Sequence, residues 1–139
     1  MEIARALDAV RANRQAVLVT LKRDGHPQLS NVLAAVGEDG RVRVSITEDR
    51  AKYANLRRTP WAALHVNGPD FWSYGVLEGD VELSPVVAEP HDAAADELVE
   101  LYRALAGEHE DWEDYRAALV RDRRVVVRIT PTHAYGALR

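Results

Sequence analysis

The sequence predicts a mainly β fold, a six-stranded antiparallel barrel with flanking helices, and three observations carry that prediction. Short β-branched runs alternate apolar and polar residues, most cleanly in RVRVSI (41 to 46), where Val42, Val44 and Ile46 share one parity. Tight-turn signals separate several of the runs: Asp24-Gly25, GEDG (37 to 40) and NGPD (67 to 70). Helical patterns intervene only between strands three and four and between five and six, too few crossovers for a parallel doubly wound sheet.

Taken in order, Ile3, Leu7, Val10 and Arg14 fall at helical spacing, so residues 2 to 14 form an amphipathic helix laid on the core. AVLVTLK (16 to 22) and PQLSNVLAAV (27 to 36) make a hairpin across Asp24-Gly25, and RVRVSI is the third strand. Thr47 is placed to cap a short helix that Pro60 stops. WAALHV (61 to 66) and WSYGVLEGDVEL (72 to 83) are strands four and five, the latter with Gly75 and Gly79 inside it. Glycine there calls for a bend, a bulge or the close approach of another group. SPVVAEP (84 to 90) leads to helices over about 91 to 106 and 111 to 121, and RRVVVRITP ends the pattern as strand six. One domain spans 1–139. A barrel of this size, filled by its own side chains, puts any ligand site on its outer face, open to sharing with a second subunit.

The whole-chain properties exclude several classes. A formal net charge of −4 and a pI near 5.7 argue against nucleic acid or an anionic membrane as partner. The absence of cysteine removes disulfides, thiolate catalysis and thiolate-held zinc. No signal-like stretch opens the chain and no apolar run is long enough to span a membrane, so the expectation is a cytoplasmic protein. The five histidines show no metal-ligand spacing, and no metal site is expected. The carboxylates of GEHEDWEDY (107 to 115) sit where a helix begins, which assigns them to capping. Neither a GxSxG elbow nor a P-loop is present, and no residue is assigned as catalytic.

TEDRAKYANLRRTP (47 to 60) crowds four cations onto one short helix. Arg57 and Arg58 fall in its last turn, where cations suit the helix dipole. Arg50 and Lys52 fall at its start, where they do not. Two readings compete: Glu48 and Asp49 neutralise them on a solvated face, or the pair and the helix start hold a phosphate. Ser45, just before, is either a further phosphate donor or merely exposed. Trp72 and Tyr74 share a parity beside Gly75, an arrangement suited to flanking a flat heterocycle, to a core or to a dimer interface. Gln28, Ser30 and Asn31 place polar groups on an otherwise apolar strand, either to read the edge of a polar ring or to face water. Phosphate-type residues without acid, base or nucleophile point to a cofactor that brings its own reactivity.

In GHPQLSNV (25 to 32), VSITEDRAKYANLRRTP (44 to 60), WSYGVLEG (72 to 79) and the long segment from Leu101 to Gly136, the chain resembles the split-barrel flavin and deazaflavin oxidoreductases related to pyridoxamine 5'-phosphate oxidase. Within that group it is most similar to the actinobacterial branch that uses the deazaflavin coenzyme F420. The resemblance implies that Arg50, Lys52 and Asn55, with Ser45, hold the cofactor phosphate. It implies that Gln28, Ser30 and Asn31 line the deazaflavin and that Trp72, Ser73 and Tyr74 border its ring. It implies a homodimer with two interfacial cofactor sites. The implied activity is hydride transfer from reduced coenzyme F420 to a conjugated small-molecule substrate, with the Tyr74 hydroxyl or a water as proton source. FMN on the same barrel and a non-catalytic carrier of deazaflavin or a haem-type pigment are the alternatives.

Overall fold

The computed structural model describes residues 1–138. Seven strands, β1 (Gln15–Leu21), β2 (Pro27–Leu33), β3 (Ala35–Val36), β4 (Val42–Thr47), β5 (Trp61–Asn67), β6 (Tyr74–Leu83) and β7 (Arg124–Gly136), form one antiparallel sheet in the order β2-β1-β5-β6-β7-β4-β3. Helix α1 (Ile3–Asn13) precedes the sheet, α2 (Ala51–Arg58) joins β4 to β5, and α3 (Ala93–Ala106) and α4 (Trp112–Arg121) lie between β6 and β7.

Six strands were expected and seven are found because the segment 27–36 is divided. Its first part pairs with β1 and its last two residues pair with β4, at the opposite end of the strand order. The break falls at the fully buried Ala34, whose N–H leaves both ladders and donates to the Arg14 carbonyl at 2.8 Å. One covalent segment thus joins the two edges of the curled sheet and closes it toward a split barrel.

Val42, Val44 and Ile46 do point inward, facing Val125, Val127 and Ile129 of β7 and Leu18, Leu64 and Leu77 around the barrel. Val126 points the other way, into a second core with Leu98, Leu101 and Leu119 of α3 and α4. The uninterrupted VVV therefore follows from burial on both faces of β7. Asp92 and Asp111 cap α3 and α4 by accepting from the N–H groups of Ala95 and Asp114, the role expected for the acids ahead of α4.

Strand β7 runs past Pro131, the last residue of the expected sixth strand. Gly79 lies opposite Pro131 and Glu78 opposite His133, so Thr132 is an extra residue that forms a bulge. A proline without an N–H is tolerated at such an interruption. Gly79 is the close-approach glycine anticipated on β6, since a Cβ there would sit on the Thr130 carbonyl.

Glu97 of α3 fastens the helical hairpin to the sheet. Its carboxylate accepts from Arg43 Nε of β4 at 2.8 Å and from Arg128 Nε and Nη2 of β7 at 2.8 and 2.6 Å. Those hydrogen bonds, Arg128 first, hold the Glu97 carboxyl below its ordinary value of 4.5. A depressed carboxylate contributes stability above its unfolded value that disappears as pH falls through the folded one. Glu97→Gln is therefore expected to cost about 1 to 2 kcal/mol at neutral pH, and less below about pH 4. Denaturant titrations of both proteins at pH 7 and pH 3.5 check this.

Candidate functional site

After Thr47 the chain leaves β4, and α2 begins three residues later than a Thr47 cap requires. The Thr47 hydroxyl donates to Asp49 instead, and Arg50 occupies the N-cap with extended backbone and no side-chain capping bond. An arginine has no acceptor to offer the first-turn N–H groups, so this helix start is electropositive in both its backbone and its side chains. Lys52 follows in the first turn, and its Nζ reaches Ser30 Oγ of β2 at 3.3 Å.

A third cation joins them. Arg124 opens β7 opposite Thr47, and its guanidinium extends to Ser45 Oγ at 3.5 Å. Among the described residues, none of Arg50, Lys52 and Arg124 forms an ion pair. Glu48 pairs with Arg123, and Asp49 is held below its ordinary range first by the Thr47 hydroxyl, with Arg50 and Arg124 adding to the effect. Burial, followed by Arg50 and Arg124, pushes the Lys52 ammonium below its ordinary value. Cations that repel one another across a partly buried site are complementary to an anion. The neutralised-face reading of Glu48 and Asp49 does not describe this arrangement, because their principal partners lie elsewhere.

The three cations line a groove of about 660 Å³ outside the barrel. Asn31, Val32 and Leu33 of β2 and Ser45 to Thr47 of β4 line one side, and Leu101, Tyr102, Leu105, Tyr115 and Leu119 of α3 and α4 face them. That volume lies within the range of cofactor-sized sites, and the combination of an apolar wall with a few convergent polar groups is their usual chemistry. A phosphate at the three cations with a flat ring along the apolar wall fits the residues present.

Other anticipated positions are arranged differently. Asn55 is buried, with its amide donating to Gln28 Oε1 at 2.8 Å and Thr20 Oγ1 at 3.1 Å and its Oδ1 accepting from Arg58 at 2.8 Å. It ties α2 to β1 and β2 and also orients Gln28. Asn55→Ala is expected to lower stability by about 1 to 2 kcal/mol, with a matching fall in thermal midpoint before any effect on ligand affinity is considered. Arg58 also donates to the Leu21 carbonyl, in keeping with a structural last turn.

Strand β6 begins at Tyr74 because the Asp70 carboxylate accepts the N–H groups of Trp72 and Ser73 at 2.9 and 3.1 Å, drawing both into the turn. Trp72 therefore does not share a strand face with Tyr74. It is 71% exposed and packs edge-on against Phe71, while Ser73 is buried and Tyr74 stacks on His65 with centroids 5.4 Å apart. These three residues lie outside the cationic groove. Arg124, Tyr102 and Tyr115 were missed as individual site residues; the only available signal for Arg124 was its position opposite the end of β4.

The folded chain is similar to solved structures that share this geometry at low sequence identity. A conserved hypothetical protein, Rv2991 of Mycobacterium tuberculosis, is 23% identical over 96% of this chain and 82% of its own, with a TM-score of 0.71. An F420 reductase is 23% identical over 92% and 94%, with a TM-score of 0.69. The heme storage protein HutZ of Vibrio cholerae is 12% identical over 98% and 95%, with a TM-score of 0.68. These likenesses establish the split-barrel fold. The family model for pyridoxamine 5'-phosphate oxidase matches residues 3–137, nearly the whole chain including the groove and its three cations, and the protein belongs to that family.

Proposed function

We propose that the protein is an oxidoreductase that binds the deazaflavin coenzyme F420 in the groove between β2, β4 and the α3–α4 hairpin and reduces a conjugated, electron-poor small molecule. The observation that carries this reading is the cluster of Arg50, Lys52 and Arg124, three cations without a carboxylate partner among the described residues, on the lining of a cofactor-sized groove. Family membership and the fold shared with an F420 reductase support a flavin-type cofactor.

In this reading Arg50, Lys52 and the first-turn N–H groups of α2 take the phosphate, with Ser45 held nearby by Arg124. Ser30 and Asn31 meet the polar edge of the ring system, Gln28 is held by Asn55, and Tyr102 and Tyr115 exclude water from its far side. Bound in reduced form, the cofactor supplies the hydride. Two copies of the chain pair so that each closes the other's groove, burying the exposed Leu29, Leu33, Phe71 and Trp72. Trp72 then serves through that pairing rather than from the groove of its own chain. Among the described residues no helix is long and apolar enough to cross a membrane.

Turnover tests the reading. Protein loaded with reduced coenzyme F420 is mixed anaerobically with enones, quinones and tetrapyrroles, and oxidation of the cofactor is followed by absorbance. Multiple turnovers with one acceptor class are expected. Tight binding without oxidation by any acceptor would replace the enzyme with a carrier, a reading favoured by the shared fold of HutZ. A preference for FMN in the same assay would move the protein to the flavin side of the family.

A further inference from the structure

Beside the cationic groove, across the same stretch of β2, lies a second recess of about 500 Å³ that differs from it chemically. Asn31, Val32 and Leu33 border both. The remaining lining comes from Asn13, Gln15, Ala16, Val17, His65 and Asn67, with no lysine, arginine or carboxylate among the described residues. Asn13 donates its amide to the Asn67 carbonyl at 3.0 Å, and Asn67 donates its own to the Phe71 carbonyl at 3.3 Å. This leaves the two side-chain oxygens, among the described residues, as acceptors for a ligand.

Among the described residues His65 is the one ionisable side chain lining this recess. It lies opposite Val17, which lies opposite Asn31, so the two polar residues stand on the same outer face two strands apart, about 10 Å at normal strand spacing. Tyr74, stacked on it at an interplanar angle of 13°, fixes the plane of the imidazole. A ligand seated between Asn31 and His65 therefore touches the cofactor groove on one side and an oriented proton donor on the other.

We propose that this recess is the acceptor subsite and that His65 is the catalytic acid, for an uncharged conjugated carbonyl compound that also carries an N–H or O–H donor. The inference rests on the hydride-transfer reading above. The carbonyl accepts from the His65 ring N–H, and the ligand's own donor meets Asn13 or Asn67. The hydride of the reduced cofactor forms the new C–H bond at the β-carbon as the C=C π pair shifts toward the carbonyl. His65 supplies the proton that neutralises the resulting enolate and recovers one from solvent, so two electrons and two hydrogens are transferred in all. An anionic acceptor finds no cation among the described residues that line the recess.

Two measurements separate this proposal from the reading beneath it. The ring signals of His65, assigned by their loss in His65→Gln, are followed by NMR as unreduced succinimide, N-methylsuccinimide or succinate is added to the protein with and without cofactor. Succinimide is expected to shift His65, with at least tenfold weaker binding of the N-methyl and dianionic probes; no shift, or equal binding of all three, overturns the subsite. In cofactor-loaded protein, His65→Gln is expected to slow maleimide reduction by about 10²-fold or more, the usual contribution of a positioned acid, with cofactor affinity and thermal midpoint unchanged. The chain has no cysteine to consume maleimide. An unaltered rate in His65→Gln overturns the acid. Failure of wild-type protein to take up cofactor overturns the oxidoreductase reading, while the succinimide titration still decides the recess.

Discussion

Replacing Arg50 and Lys52 together by alanine is expected to weaken binding of the proposed cofactor by about 3 to 6 kcal/mol, two to four decades in Kd, because each change removes a charge-assisted hydrogen bond worth about 1.5 to 3 kcal/mol. Folding is little affected, since neither side chain is in an ion pair and mutual repulsion with Arg124 is relieved. The expected signature is a large loss of affinity at a thermal midpoint within a few degrees of wild type. Lys52 adds a pH dependence with a definite sign. Burial, then Arg50 and Arg124, lower its pKa in the free protein, and a bound phosphate raises it again. Binding therefore takes up protons at alkaline pH and weakens as pH rises through the depressed value. Calorimetric titrations of the two proteins over a pH series measure both effects.

Gly79→Ala is expected to destabilise the fold by about 2 to 3 kcal/mol although it adds a single methyl group. The new Cβ meets the Thr130 backbone carbonyl, which cannot rotate away as a side chain would, so the β6–β7 ladder must shift at the bulge that aligns Val125, Val127 and Ile129 with the core. Gly25→Ala provides the contrast. Gly25 has φ +86°, but no atom of the described residues lies near the added methyl, so only the local backbone strain of about 1 kcal/mol is expected. Urea unfolding of the two variants separates the steric effect from the conformational one.

The parts of the fold legible in the sequence were those governed by local periodicity. The alternation Val42, Val44, Ile46 located β4 and its inward face, and Asp111, among the acids assigned to capping, stands at a real helix start. Illegible were the features decided by distant partners. Nothing local distinguishes Ala34 from its neighbours; the strand divides there because its two partners, β1 and β4, lie toward opposite ends of the strand order. Pro131 resembles a strand end until Gly79 is placed opposite it.

The site shows the same division. Arg50 and Lys52 were visible as cations at a helix start, where the dipole disfavours them without a ligand. Arg124 was hidden inside a basic run because its role depends on the β4–β7 register. Asn55 looked like a ligand residue, but its amide is committed to Thr20 and Gln28. Trp72 and Tyr74 were paired by parity, and the Asp70 turn removed one of them from the strand.

The most direct test of the central claim is a calorimetric titration of the protein with coenzyme F420 and with FMN at low and high salt. Tight binding of the deazaflavin, weakening steeply with salt and largely lost in the Arg50→Ala/Lys52→Ala protein, is the predicted result. Binding of neither cofactor, or binding indifferent to salt and to those two substitutions, would contradict the assignment of the three cations to a cofactor phosphate.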